Sequence, residues 1–175
     1  MRLATSKILS RAAMQKERRR LRAAGKKLVF TNGAFDLLHA GHVTYLEFAR
    51  KQGNTLVVGL NSDASVRRYK GDRRPVNRQA DRARVLAALE CVDYVVFFGE
   101  DEPRRLIALL RPDVLVKGAD WSHYVSGRDI VEKAGGRVVL ARLVKGRSTT
   151  RMIAKILRAY GPDSRAPSPS RPRKE

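Results

Sequence analysis

Three stretches of this chain are apolar at consecutive positions: Leu56-Val57-Val58-Gly59-Leu60, Tyr94-Val95-Val96-Phe97-Phe98 and Val114-Leu115-Val116. A strand with one wet face alternates apolar and polar residues, so an unbroken run marks a strand covered on both faces. Such strands belong to parallel sheets, whose crossover helices cover both sides. The spacing agrees. Strands are predicted at 28–31, 55–60, 93–98, 113–117 and 137–142, and helical patterns at 41–52, 78–90, 103–111, 127–134 and 149–159. The expected fold is α/β: a single doubly wound parallel five-stranded sheet with helices on both faces. Ligands bind such sheets at the carboxyl ends of the strands, near the switch in strand order.

Residues 28–160 make up this domain. Ahead of it, residues 1–27 read as a basic helical segment, with Ser10 as N-cap, a helix running to about Ala24 and Gly25 as the stop. Having few apolar residues, it is expected to pack lightly on the domain. Behind it, residues 161–175 are rich in Pro, Ser and Arg without apolar periodicity, and a disordered basic tail is expected. The net charge is +20, of which residues 1–27 hold +9 and residues 161–175 hold +2. The rest suits a phosphorylated substrate or a nucleic acid equally well. No apolar stretch approaches the roughly 20 residues that span a bilayer. The N-terminus lacks an apolar signal core. The single Cys91 sits in an apolar context and reads as a small buried hydrophobe. A cytoplasmic protein with no membrane partner is expected.

Four segments carry chemistry. The first follows the first strand and runs from Phe30 to His42. Asn32, Gly33 and Ala34 close the strand, and the small residues leave room for a phosphate beside the backbone. His39 and His42, either side of Ala40-Gly41, lie three apart and share one face of a helix's first turn. Unpaired N–H groups and the positive end of the helix dipole gather there, which favours phosphate. The second is the basic loop Tyr69-Lys70-Gly71-Asp72-Arg73-Arg74-Pro75-Val76-Asn77. Lys70 offers a point charge to a polyphosphate, Arg73 and Arg74 offer forked donors, and Asn77 reads as the next N-cap. Arg82 follows Arg78 by one turn, so one of the two is expected to face the site.

The third segment ends in Lys117-Gly118-Ala119-Asp120-Trp121, where backbone groups and an indole can border a base. The fourth is Gly146-Arg147-Ser148-Thr149-Thr150. Ser148 or Thr149 caps the last helix, and the hydroxyls with Arg147 make a second phosphate seat facing the first.

In this order the four segments resemble the cytidylyltransferase-like nucleotidyltransferases, marked by His-x-Gly-His after the first strand and Ser-Thr-Thr before the last helix. Among them the chain looks most like the heptose 1-phosphate adenylyltransferases. Matching stretches also include Asn61-Ser62-Asp63-Ala64-Ser65, Leu86-Ala87-Ala88-Leu89-Glu90 and Arg111-Pro112-Asp113, and the likeness covers about residues 7–158. The resemblance implies a Rossmann-like domain that transfers AMP from ATP to D-glycero-β-D-manno-heptose 1-phosphate. ADP-heptose and pyrophosphate would form by in-line attack without a covalent intermediate, with Mg²⁺ shared among the phosphates.

It also implies roles. His39, His42 and Lys70 are the expected catalytic residues. Asn32, Gly33, Ala34, Phe35, Gly41, Lys117 to Trp121 and Arg147 to Thr150 are expected against the nucleotide. Asp36, Asp63, Arg73 and Arg82 are expected on the acceptor side, with no metal ligand assigned. The product would feed lipopolysaccharide core or another heptose glycan. Many relatives carry a fused sugar kinase; here the kinase is expected to be a separate protein, and the transferase a homodimer.

Ala119 and Trp121 stand where heptose enzymes commonly have Gly and Tyr. Trp there is similar to the glycerol-3-phosphate cytidylyltransferases, so a cytidylyltransferase acting on a polyol phosphate is the alternative. Those enzymes, however, have an Arg five residues before the Ser of Ser-Thr-Thr, where this chain has Leu143. A basic nucleic-acid-binding module is the distant alternative: aromatics are only 6%, few for stacking on bases, and no RNA-recognition signature is present.

Overall fold

The computed structural model describes residues 2–142, 144 and 146–161. Leu143 and the expected tail beyond Gly161 lie outside the described residues. The strands are β1 (Ile8–Leu9), β2 (Leu28–Gly33), β3 (Thr55–Asn61), β4 (Tyr94–Phe98), β5 (Val114–Gly118) and β6 (Arg137–Ala141). The helices are α1 (Arg11–Ala23), α2 (Ala40–Arg50), α3 (Asp63–Lys70), α4 (Gln79–Ala88), α5 (Arg104–Leu110), α6 (Arg128–Lys133) and α7 (Thr149–Tyr160).

All the strands pair in parallel, in the order β1-β4-β3-β2-β5-β6. The sheet therefore has six strands instead of the expected five. The addition is β1, which sets Ile8 beside Val95 and Leu9 beside Val96. Two residues carry no period, so nothing in the basic N-terminal segment signals this strand.

The consecutive apolar runs do what two covered faces require. Val29, Leu56, Val58 and Val95 pack toward α2 and α4, against Leu46, Ala49, Ala83 and Leu86. Leu28, Phe30, Val57 and Val96 pack the other way, against Met14 and Leu21 of α1 and Leu106, Ile107 and Leu110 of α5. Each strand thus feeds both cores by parity.

Helix α1 does not pack lightly. Met14 and Leu21 are buried, and Arg18 lies between them at i+4 with its stem on apolar surface. Its guanidinium donates to the carbonyls of Leu110 and Arg111 at 3.0 and 2.8 Å and pairs with Asp113 at 3.0 Å. Asp113 in turn accepts from the Leu28 amide at 2.7 Å, so the helix is tied to the starts of β2 and β5.

Two further expectations change. Helix α3, capped by Ser62, falls where no helix is predicted, since only Ser65 and Val66 of it are buried and its pattern is mostly polar. Helix α4 starts with Arg78 at its N-cap, and Asn77 turns its amide to the Asp36 carbonyl instead of capping. Cys91 is half-buried at the edge of one core. No helix of the described residues is long and apolar enough to cross a membrane.

Candidate active site

From β2 the chain steps outward to β3 and β4, then returns to place β5 on the other side of β2. Strand order switches there, and the carboxyl ends of β2 and β5 open a cleft of about 360 Å³. Asn32 to Asp36, His39, Gly41, His42 and Lys70 line one side. Lys117, Gly118, Asp120 and Trp121 line the second, and Arg147 to Thr150 the third. The four sequence segments meet at one place. Ala119, Asp63, Arg73 and Arg82 do not line the cleft, whereas Tyr45 and Val144, unexpected from sequence, do.

His39 stands at the N-cap of α2 with extended backbone (φ −145°, ψ 167°), just before the first turn instead of within it. The two imidazoles still meet, stacked with centroids 3.9 Å apart and planes 20° from parallel. The Phe35 ring lies 5.3 Å from that of His42. Phe35 adopts the left-handed φ of +43°, uncommon for a bulky side chain. A Cβ at Gly33 would sit 3.1 Å from that ring, so Gly33, which lines the cleft, also makes room for Phe35.

Burial pushes the pKa of His42 down to about 4, helped by the charges of His39 and Lys70. His39 is lowered as well, by burial and then by Arg147. The His42 ring is therefore neutral at pH 7. Both Nδ1 atoms are buried and without a hydrogen-bond partner among the described residues. A neutral imidazole carries its proton on one ring nitrogen and a lone pair on the other, so each ring can donate one hydrogen bond.

On the β5 side, Lys117 Nζ donates to Asn32 Oδ1 at 3.1 Å and lies 5.2 Å from the centre of the Trp121 ring. Burial pushes its pKa down to about 8. Trp121 is half exposed, a flat apolar face beside backbone groups. Tyr45 underlies the cleft. Its hydroxyl meets Thr31 Oγ1 at 2.7 Å and donates to the Val116 carbonyl at 3.1 Å, bridging β2 and β5. Positions 39, 42 and 45 share one helix face, so its place was readable from spacing. A lone Val144 gives no such signal.

On the third side Ser148 caps α7 by accepting from the Arg151 amide, and Thr149 Oγ1 donates to the Leu37 carbonyl at 3.3 Å. A Cβ at Gly41 would press the Arg147 Cβ and the His39 ring, each at 3.0 Å. Glycine there lets this segment close on the histidines.

Three residues expected on the acceptor side are engaged within the protein. Arg82 is fully buried and donates to the carbonyls of Asn77, Ala34 and Asn61 and to Asp63 Oδ1 at 2.7 Å. It joins the ends of β2 and β3 to the start of α3 and the 71–78 loop. Asp63 is thereby paired, and Arg73 is exposed. Asp36 lines the cleft, but its carboxylate accepts from Arg74 Nε and the Val76 and Asn77 amides. Burial alone would raise its pKa; these donors outweigh it and hold the carboxyl below its ordinary value. No group of three metal-ligating side chains occurs among the described residues. A Mg²⁺ here fits as an ion held mainly by substrate phosphates and water, with the exposed Asp120 at hand.

A family model described as cytidylyltransferase-like matches residues 30–162. A protein of Geobacter metallireducens called bifunctional protein HldE is 62% identical over 141 residues, covering 80% of this chain and 29% of that protein. The chain thus spans about three tenths of such a relative. Among solved structures, a lipopolysaccharide core biosynthesis protein from Thermoplasma volcanium superposes with a TM-score of 0.58 at 26% identity, covering 70% of this chain and 100% of that one. A pantoate-β-alanine ligase from Francisella tularensis shares the fold, with a TM-score of 0.55 at 14% identity over 86% of this chain and 78% of that one.

Proposed function

Because the chain belongs to the cytidylyltransferase-like family, we propose that its cleft transfers AMP from ATP to D-glycero-β-D-manno-heptose 1-phosphate, releasing pyrophosphate and ADP-heptose. The observation that carries this reading is the stacked His39–His42 pair facing the Arg147–Thr150 segment across one cleft. The two imidazoles serve a reacting phosphate that gains charge, and the hydroxyls and the cation serve the pyrophosphate that leaves. The sugar phosphate attacks the α-phosphorus directly, and the bond to the pyrophosphate oxygen breaks. No side chain need bond to the nucleotide, so positioning and preorganised charge supply the rate. Lys70 and Arg147 to Thr150 hold the β- and γ-phosphates. Lys117 to Trp121 border the base. A Mg²⁺ bound with ATP would neutralise phosphate charge, with Asp120 the exposed carboxylate on the cleft lining to help hold it.

The HldE-named relatives support the heptose acceptor and adenine over cytosine. Those relatives are longer proteins called bifunctional; for this domain we place the reaction in the cytoplasm. We also read the working form as a homodimer: α7 buries no residue, and Ile156, Leu157 and Tyr160 on it are exposed. Pyrophosphate release with ATP and CTP, each against heptose 1-phosphate and glycerol 3-phosphate, tests the assignment. Turnover with ATP and the heptose is expected; turnover with CTP alone replaces the adenylyl reading with its cytidylyl alternative.

A further inference from the structure

The 71–78 loop is fastened to the end of β2 by one carboxylate. Asp36 accepts from Arg74 Nε at 2.6 Å, from the Val76 amide at 2.9 Å and from the Asn77 amide at 2.9 Å, while Asn77 Nδ2 donates to the Asp36 carbonyl at 3.0 Å. With its oxygens so engaged and its side chain 1% exposed, Asp36 has little left to offer a substrate hydroxyl. The consequence falls on Arg74. Its Nε is spent on Asp36, yet its Nη2 is buried and has no hydrogen-bond partner among the described residues. An ionised donor left unpaired beside a cleft is costly unless a ligand oxygen takes it up. The side chain is 15% exposed, and Arg74 stands just behind the cleft lining and not in it. Two of its neighbours, Asp36 and Lys70, line the cleft, and its charge helps lower the pKa of Lys70 after desolvation.

Resting on the adenylyl-transfer reading, we propose that Arg74 binds the phosphomonoester of the acceptor, and that Asp36 is the positioning residue that aims it. Nucleophile and leaving group stand on opposite sides of the reacting phosphorus in such a displacement. Arg147 to Thr150 and Asp36, which anchors the loop, all line the cleft; the first segment is assigned the leaving side and the anchored loop the nucleophile's. A dianionic nucleophile approaching an anionic α-phosphate needs a cation of its own, and a forked guanidinium matches a phosphate's oxygens. Arg73, the other candidate in this loop, is exposed and makes no hydrogen bond to Asp36 among those that fasten the loop.

The test varies sugar 1-phosphate at saturating ATP, and the reverse, for Arg74→Gln, Arg74→Lys and Asp36→Asn. Arg74→Gln should raise the KM for the sugar phosphate about 10- to 100-fold, the loss expected for one charge-assisted contact, and leave the KM for ATP nearly unchanged. Arg74→Lys should recover part of it, and Asp36→Asn should shift the same constant less. An equal rise in both constants, or none in the acceptor's, overturns the proposal. Calorimetric binding of the sugar 1-phosphate beside a non-hydrolysable ATP analogue reads the subsite without turnover. Binding to the wild type that Arg74→Gln weakens keeps the subsite even if transfer fails. Equal binding, or none to the wild type, removes it.

Discussion

The cleft has two flanks of unlike construction. The flank at the end of β2 is held by buried charge. Arg82 joins Ala34, Asn61, Asp63 and Asn77, and Asp36 gathers Arg74, Val76 and Asn77. The flank at the start of α7 hangs on a cap, Ser148 to the Arg151 amide, and on the reach of Thr149 to Leu37, while α7 itself buries no residue. One side is part of the folded core and the other is laid against it. The first should fail by unfolding, the second by losing its grip on phosphate while the fold survives.

The largest effect should follow Arg82→Met. It strands the Asp63 carboxylate and the carbonyls of Ala34 and Asn61, and a broken buried pair costs about 3–5 kcal/mol. The urea midpoint should fall accordingly; a midpoint near wild type would put the rigidity of this flank elsewhere. Gly41→Ala probes the seam between the flanks. The added methyl presses Arg147 and the His39 ring, so kcat/KM for ATP should drop about tenfold, worth roughly 1.4 kcal/mol, with little change in melting temperature. Unchanged kinetics would mean that the two sides need not close to this distance.

The smallest effect is a pH dependence. Because the folded pKa of His42 is about 4 against roughly 6.5 unfolded, the unfolded chain binds more protons between these values. Stability therefore rises with pH across that window and falls as pH drops through it. Urea midpoints at pH 7 and pH 5 should differ more for wild type than for His42→Asn. Equal differences would mean that His42 is not the desolvated ring it is taken for.

Sequence told these parts apart unevenly. Consecutive apolar runs gave away the parallel sheet because coverage on two faces is written into every residue of a strand. The four chemical segments were readable because each is contiguous: two histidines at helical spacing, a basic loop, a Gly-Ala-Asp-Trp exit, and three hydroxyls after Gly-Arg. Arg82 misled for the opposite reason. Its partners come from elements distant in the chain, and a charged side chain near a motif reads as functional until its burial is seen. That Gly33 also makes room for the Phe35 ring was not legible, since the ring reaches it only through an uncommon φ. Strand β1 and helix α3 were missed because one is two residues long and the other mostly polar.

The account rests on one nucleoside triphosphate touching both flanks, and kcat/KM for ATP in two variants decides it. His42→Ala should lower the value roughly 10²–10³-fold, as loss of a preorganised transition-state donor does. Thr149→Ala with Thr150→Ala should lower it about tenfold or more, the order of a lost phosphate contact, with the urea midpoint nearly unmoved. If either folded variant turns over ATP at the wild-type rate, the two flanks do not share the nucleotide, and transfer at this cleft is contradicted.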